Sequence, residues 1–195
     1  LHNDIDSFRT LITQISLEKS ILPEILEKDY FVTLILQEIA DKQRNYEVFF
    51  KGGTALYKAL KSINRFSEDI DLTFDDRDFD TKSSKKVALK RVTSEYTSIS
   101  IKPEDDESIS GSGSRTSIYT YSTLFAIDTF RDDTLNRIGK LKVETTSFTT
   151  SSPIATYEVE PLIYTYANDE FKQLLNENFN VKPFMIKCIS IERIF

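Results

Sequence analysis

Two short segments between residues 49 and 74 carry residue types that suit phosphate and metal chemistry. In the first, Gly52, Gly53 and Thr54 follow an apolar run that is typical of a buried strand and precede a helical pattern. Paired glycines let a ligand approach the backbone closely, and the free N–H groups at the start of a helix suit phosphate oxygens. Thr54 adds a hydroxyl that could cap the helix or contact a phosphate. This segment therefore predicts one half of a nucleotide site.

The second segment supplies a pair of carboxylates. Residues two apart in a strand point to the same side, so we expect Asp69 and Asp71 to face together while Ile70 and Leu72 face the core. Adjacent carboxylates repel each other unless they share a cation, and their oxygen atoms suit Mg²⁺ bridging to substrate phosphates. Each segment alone also has a simpler interpretation, as a common strand-to-helix turn or as the solvated face of an edge strand.

The order of strand, Gly-Gly-Thr, helix and Asp-hydrophobic-Asp resembles the signature of the polymerase-β-like nucleotidyltransferase superfamily. More closely, Lys51-Gly-Gly-Thr-Ala-Leu56 with Arg65-Phe-Ser-Glu-Asp-Ile-Asp-Leu72 resembles the AbiEii/AbiGii toxin family, the nucleotidyltransferase partners of abortive-infection toxin–antitoxin pairs. The segment beginning Leu26-Glu-Lys-Asp-Tyr is similar to a helix that precedes the glycine turn in that family. The resemblance implies transfer of a nucleoside monophosphate from an NTP to an acceptor hydroxyl, with loss of pyrophosphate.

The same resemblance implies roles for individual residues and partners. Asp69 and Asp71 would bind Mg²⁺, with Mn²⁺ as the alternative ion, and would be the catalytic acids. The acceptor would be RNA, with the 3′ end of tRNA as the candidate, and a cognate antitoxin would be a partner. The residues implied to bind the nucleotide are Lys51, Gly52, Gly53, Thr54 and Ser67.

A later strand offers a third acid. Residues 139–148 alternate apolar or small side chains with polar ones, which predicts a half-buried strand. Polymerase-β-like enzymes commonly take a third carboxylate from a strand beside Asp-x-Asp, and the resemblance assigns that position to Glu144, as metal ligand or as base towards an acceptor hydroxyl. The simpler interpretation is a surface glutamate between Lys142 and solvent.

The remaining patterns predict the elements that position these residues. They favour an α+β nucleotidyltransferase fold, with N-terminal helices in residues 1–45 packed on a mixed, mostly antiparallel sheet in a catalytic domain of residues 46–195. Asn168 is expected to cap a late helix. Further helices are predicted over 5–15, 23–42 and 81–92, and strands over 96–102, 116–125 and 181–189. A strand or extended segment broken at Pro161 is predicted over 157–166, with a turn over 75–80, a loop over 103–114, a charged connector over 128–137 and a final helix from 190.

Two charged helical segments have competing interpretations. Glu27, Lys28 and Asp29 are predicted to form a solvated and mutually paired helix face, although the resemblance leaves open a role in positioning the catalytic loop. The helix over 81–92 is strongly basic on one face, which predicts either a solvated surface or a contact with the phosphates of an RNA acceptor. Its lysines at a spacing of four are Lys82, Lys86 and Lys90.

Composition narrows the class of protein. A chain of 195 residues with 39% hydrophobic residues can bury about 70% of its unfolded surface. This is enough for one domain that needs no disulfide bonds or structural metal ions. Cys188 is the single cysteine, lies in an apolar run and has only His2 as a conceivable base, so a cysteine-protease or zinc site is excluded and a core position is predicted. No signal peptide or membrane-length apolar run occurs, which predicts a cytoplasmic protein. The net charge of −6 argues against broad nonspecific binding to nucleic acids.

The chain begins at Leu1 rather than Met and ends at Phe195, so we expect residues to be missing at both ends, including a C-terminal helical part. The resemblance would place a Glu-Lys helix motif and a later Arg-Asp-x-Tyr-Asp segment beyond these residues. Two alternatives therefore stay open beside the toxin hypothesis. One is a non-catalytic nucleotide-binding or interaction module, and the other is a nucleotidyltransferase that modifies small molecules such as antibiotics.

Overall fold

A computed structural model describes residues 1–63, 66–99, 109–111, 113–125, 139–147 and 153–190 of the chain. The helices in this part are α1 (Ile5–Lys19), α2 (Pro23–Lys42), α3 (Gly52–Lys58), α4 (Lys82–Ser94), α5 (Leu162–Thr165) and α6 (Asp169–Phe179). The strands are β1 (Val48–Lys51), β2 (Ile70–Phe74), β3 (Ile109–Gly111), β4 (Ser114–Thr120), β5 (Lys140–Ser147), β6 (Ile154–Val159) and β7 (Phe184–Ile189).

The described strands form a single sheet in the order β3-β4-β5-β2-β1-β7-β6. The β2–β5 and β1–β7 neighbours are parallel, and the other pairs are antiparallel. Helices α1 and α2 precede the sheet in the chain and share one hydrophobic core with it. The predicted α+β fold with a mixed, mostly antiparallel sheet is therefore confirmed, while the domain boundary after residue 45 stays a prediction.

The two faces of the sheet differ in character because strand residues alternate between them. On the core face, Phe50 and Leu72 are fully buried and belong to the hydrophobic core that α2 and α4 share. On the opposite face, which we call the polar face, Lys51, Asp71 and Glu144 remain partly exposed. The alternation predicted for β2 and β5 is confirmed, and it places Asp71 and Glu144 on the face opposite to the hydrophobic core.

Three helices begin with residues that suit a helix N-terminus. Pro23 occupies the first turn of α2, where its missing N–H costs no hydrogen bond. The side chain of Asn168 accepts a hydrogen bond of 2.9 Å from the backbone N–H of Phe171, so the predicted cap of α6 is confirmed. Thr81 and Ser84 form a reciprocal capping box at the start of α4.

Three predicted strands are wrong in part, and in two of them a side chain accepts the backbone hydrogen bonds instead of a neighbouring strand. Over 96–99 the chain is not a strand, since the carboxylate of Glu38 accepts hydrogen bonds from the backbone N–H groups of Thr97 and Ser98. Strand β4 ends at Thr120 rather than at 125. The segment predicted as extended over 157–166 contains α5, whose first N–H, that of Leu162, donates to Asp29 at 2.7 Å.

The boundaries of β3 and β7 also differ from the predicted ones. The predicted loop over 103–114 includes β3, which forms a hairpin with β4 and leaves a shorter connection. Strand β7 begins at Phe184 rather than at 181. The predicted connector over 128–137, residues 100–108 and the helix beyond 190 lie outside the described residues.

Cys188 is buried as predicted, and burial raises the pKa of its thiol to about 12. None of the described helices is both long and apolar enough to span a lipid bilayer.

The prediction of a solvated face for Glu27, Lys28 and Asp29 is wrong. All three are buried, with exposed fractions of 0%, 1% and 0%. The spacing rule that predicts helix-surface pairs takes no account of charged partners that arrive from distant parts of the chain.

Candidate active site

A glycine turn and a carboxylate lie in direct contact where β1 passes into α3. Gly52 has a φ of +78°, a backbone conformation that side-chain-bearing residues rarely adopt. A Cβ atom at Gly52 would lie only 2.3 Å from Oδ2 of Asp71, and one at Gly53 would lie 3.0 Å from Oγ of Ser67. Gly52 is therefore required by its conformation and by the close approach of Asp71, whereas a side chain at Gly53 would require the side chain of Ser67 to move. These contacts join the two predicted halves of the site.

Three neighbouring strands place charged residues in one row on the polar face. Lys51 of β1 lies opposite Asp71 of β2, and Asp71 lies opposite Glu144 of β5. Adjacent strands are about 4.8 Å apart, so these side chains are immediate neighbours. Asp69 lies one residue before β2 rather than within it as predicted. Its negative charge is nevertheless one of the causes that raise the pKa of Asp71.

Asp71 is the electrostatic centre of this row. Burial raises the pKa of its carboxyl above the ordinary value, and the negative charges of Asp69 and Glu144 raise the pKa further. Lys142 and Lys51 oppose this effect without cancelling it. A group of acids whose ionised form is disfavoured by its neighbours is stabilised when a cation arrives.

Two lysines flank the acids. Nζ of Lys51 donates a hydrogen bond of 2.8 Å to Oγ1 of Thr146 on β5. Nζ of Lys142 lies 2.8 Å from Oε2 of Glu144 in an ion pair. Lys142 was not among the predicted site residues, although its position two before Glu144 in a strand is a sequence signal that places both on one face. The polar face thus combines carboxylates with amines that suit phosphate oxygens.

Thr54 occupies a different position from the one predicted from its hydroxyl. It is fully buried, and Lys51 rather than Thr54 is the N-cap residue of α3, so the capping interpretation is wrong. Its hydroxyl bonds to Oγ of Ser67 at 3.0 Å and donates to the backbone carbonyl of Asp69. Thr54 therefore ties the glycine-turn helix to the acidic segment, and its contact with a phosphate stays a prediction.

The donor atoms at this site fit a hard divalent cation. Within the described residues, no three aspartate, glutamate, histidine or cysteine side chains converge to hold a metal by themselves. Mg²⁺ typically uses one or two carboxylates together with substrate phosphates and water. Asp69 and Asp71, which influence each other electrostatically beside the glycine turn, are the residues that could supply that smaller set of ligands.

The basic face of α4 lies away from this row. Ala88, Leu89 and Val92 of α4 pack into the core with Leu141, on the face opposite to Glu144. Lys82, Lys86 and Lys90 are exposed on the outer side of that helix. The whole thickness of the sheet and the helix separates them from the acids, so the geometry favours a solvated surface over an acceptor contact. Arg65 lies outside the described residues.

Comparison with protein families agrees with this geometry. A family model described as nucleotidyl transferase AbiEii toxin, type IV toxin–antitoxin system, matches residues 34–195. The chain belongs to the AbiEii family. The suspected resemblance is thereby confirmed, and the AbiEii match contains the glycine turn, both aspartates and Glu144. This family is one of nucleotidyltransferase toxins, which have an antitoxin as partner in such systems. No curated protein matches the chain.

Proposed function

We propose that this AbiEii protein transfers a nucleoside monophosphate from an NTP to a hydroxyl group of RNA, with the 3′ end of tRNA as the acceptor, and that it depends on Mg²⁺ or Mn²⁺. The observation that carries the proposal is the contact between the Asp71 carboxylate and the Gly52 backbone, in register with Lys51 and Glu144. This contact joins groups suited to phosphate with groups suited to a cation. The toxin would act in the cytoplasm, where a cognate antitoxin would restrain it.

The residues divide into two roles on the donor side. The backbone at Gly52 and Gly53 approaches the triphosphate, and Lys51 supports it with a positive charge. Asp69 and Asp71 hold the divalent cation. That cation would neutralise phosphate charge and align the α-phosphate with the attacking oxygen.

Glu144 serves the acceptor side. The acceptor hydroxyl oxygen forms a bond to the α-phosphorus, the bond from that phosphorus to the bridging oxygen of the β-phosphate breaks, and pyrophosphate leaves. The hydroxyl proton passes to the carboxylate of Glu144, which lies opposite Asp71 and forms an ion pair with Lys142.

The direct test measures transfer of label. The protein is incubated with Mg²⁺, total RNA and each NTP in turn, radiolabelled at the α-phosphate, beside the variants Asp69→Ala and Asp71→Ala. We expect labelled RNA from the wild type alone. Equal labelling by the variants, or no labelled RNA, would contradict the proposal.

Two further arms test the alternatives. Label transferred to added small-molecule antibiotics instead of RNA would identify a small-molecule nucleotidyltransferase. Calorimetry that shows Mg²⁺-dependent NTP binding without any transfer would identify a non-catalytic module. Glu144→Gln, which keeps the size of the side chain but removes the base, is expected to bind NTP normally and to slow transfer.

A further inference from the structure

The unusual feature of this fold is a turn of α2 that buries three charged residues in succession, Glu27, Lys28 and Asp29. Consecutive helix residues point about 100° apart, so no single buried face accommodates all three. Each must find its own partner, because an unpaired buried charge is strongly disfavoured. The partners lie on three different elements.

Lys28 reaches the acidic segment. Its amine forms an ion pair with the carboxylate of Glu68, the residue immediately before Asp69. The Lys28 side chain is 1% exposed and that of Glu68 is 19% exposed, so most of the pair is removed from solvent. The start of β2 is thereby fixed to α2.

Asp29 reaches the helix that carries the glycine turn. Its Oδ1 lies 2.5 Å from Nζ of Lys58, the last residue of α3, and its Oδ2 accepts a hydrogen bond of 2.7 Å from the N–H of Leu162. Both side chains of the Asp29–Lys58 pair are almost wholly buried. Because α3 begins at Gly52, Asp29 fixes the glycine turn from the far end of that helix.

We propose that Lys28 and Asp29 are positioning residues that set the distance between the glycine turn and the acids Asp69 and Asp71; this inference rests on the proposed function. One turn of a single helix holds both halves of the site, and Thr54 joins those halves directly. Buried ion pairs add little net stability compared with apolar residues of equal size, but they define one geometry. Neither residue contacts substrate, because both are enclosed by protein.

The decisive variant is the double substitution Lys28→Met with Glu68→Leu, which removes both charges and keeps the volume. We expect its melting temperature to stay within a few degrees of wild type. We expect kcat to fall about tenfold or more because the acids are displaced, with a much smaller change in KM for the NTP. Mn²⁺ affinity, measured by calorimetry without nucleotide, is expected to fall about tenfold.

The matched control is Glu27→Gln, on the same turn and equally buried. Its partners are the hydroxyl of Thr123 and the N–H of Leu124, which belong to neither half of the site. It should leave kcat and Mn²⁺ affinity unchanged. If the double variant keeps wild-type kcat and Mn²⁺ affinity, or if kcat in both variants merely follows the loss of melting temperature, the inference is overturned.

Two further cases have their own measurements: a double variant that does not fold, and a wild type that transfers no label. If the double variant does not fold, Glu68→Gln is measured instead, since it keeps the shape of the side chain and lies at the partly exposed end of the pair. If the wild type transfers no label but binds Mn²⁺, the proposed function fails while the Mn²⁺ affinities still decide the positioning role. If the wild type binds no Mn²⁺ either, both proposals are overturned together.

Discussion

The protein contains two clusters of charged side chains. Both combine acids with lysines, but they differ in burial and in pairing. The cluster on α2, Glu27, Lys28 and Asp29, is fully buried, and every member has a partner supplied by the chain. The cluster on the polar face is centred on Asp71 and Glu144, is partly exposed and retains repulsion between acids. The difference lies in burial and pairing, and it agrees with our proposals that the buried, paired cluster positions other elements and that the partly exposed cluster binds a cation.

The largest effect is expected from Asp71→Asn, which tests whether the cluster on the polar face differs in role from the buried cluster on α2. We expect transfer activity to fall about a thousandfold, equivalent to ~4 kcal/mol of transition-state stabilisation. We expect the melting temperature without metal to rise by a few degrees, because the variant removes a partly buried charge repelled by its neighbours. Label transfer and thermal unfolding measure the two effects. Asp80→Asn, which changes an exposed acid in the segment between β2 and α4, should change neither.

If Asp71→Asn instead lowers both activity and melting temperature, Asp71 belongs with the structural cluster and the comparison fails.

The converse experiment breaks the buried cluster. Lys58→Met leaves the Asp29 carboxylate without its cation and should reduce the free energy of unfolding by about 3–5 kcal/mol. Urea unfolding measures this loss. The control is Arg44→Met, which removes the exposed ion pair with Asp41 and should cost no more than about 1 kcal/mol. Losses of equal size in the two variants would contradict a difference between buried and exposed charges.

The pH dependence of stability distinguishes the clusters more finely. Because the pKa of Asp71 is raised in the folded protein, its contribution to stability is fully present below the ordinary aspartate pKa and is lost as pH rises through the raised value. Without metal, the melting temperature of the wild type should therefore fall relative to that of Asp71→Asn as pH rises from the ordinary aspartate pKa through the raised pKa of Asp71.

Saturating Mg²⁺ should reverse that trend, since the cation binds the ionised carboxylates of the folded state. Thermal unfolding from acid to neutral pH, with and without Mg²⁺, measures both slopes. Parallel curves for wild type and Asp71→Asn would show that Asp71 does not titrate differently in the folded protein.

The smallest effect is expected at a third group of charges, the exposed lysines of α4. Changing Lys82, Lys86 and Lys90 together to Gln should leave transfer activity within about twofold and unfolding free energy within ~0.5 kcal/mol, as for surface residues without partners in a site. Activity at rising salt concentration is the measurement. A salt-sensitive loss would restore the prediction that this face binds the RNA acceptor.

Sequence reasoning succeeded where local rules decide the outcome. The glycine turn, the alternation of β5 and the cap at Asn168 depend on the conformations of a few neighbouring residues. It failed where a distant group intervenes, as when Glu38 captures the N–H groups of Thr97 and Ser98 and prevents a strand. It also overlooked Lys142, whose significance depends on the ion pair with Glu144.

The sequence alone determined the family, the class of fold and the residue types that share the polar face, since glycine conformations and the two-residue period of a strand are properties of adjacent residues. Only the tertiary structure decided that Lys51, Asp71 and Glu144 form one row, that the basic face of α4 lies behind the sheet, and that charges on α2 are buried beneath the site. The physical reason is that desolvation and pairing of charges depend on which distant elements pack together, and no local pattern records those contacts.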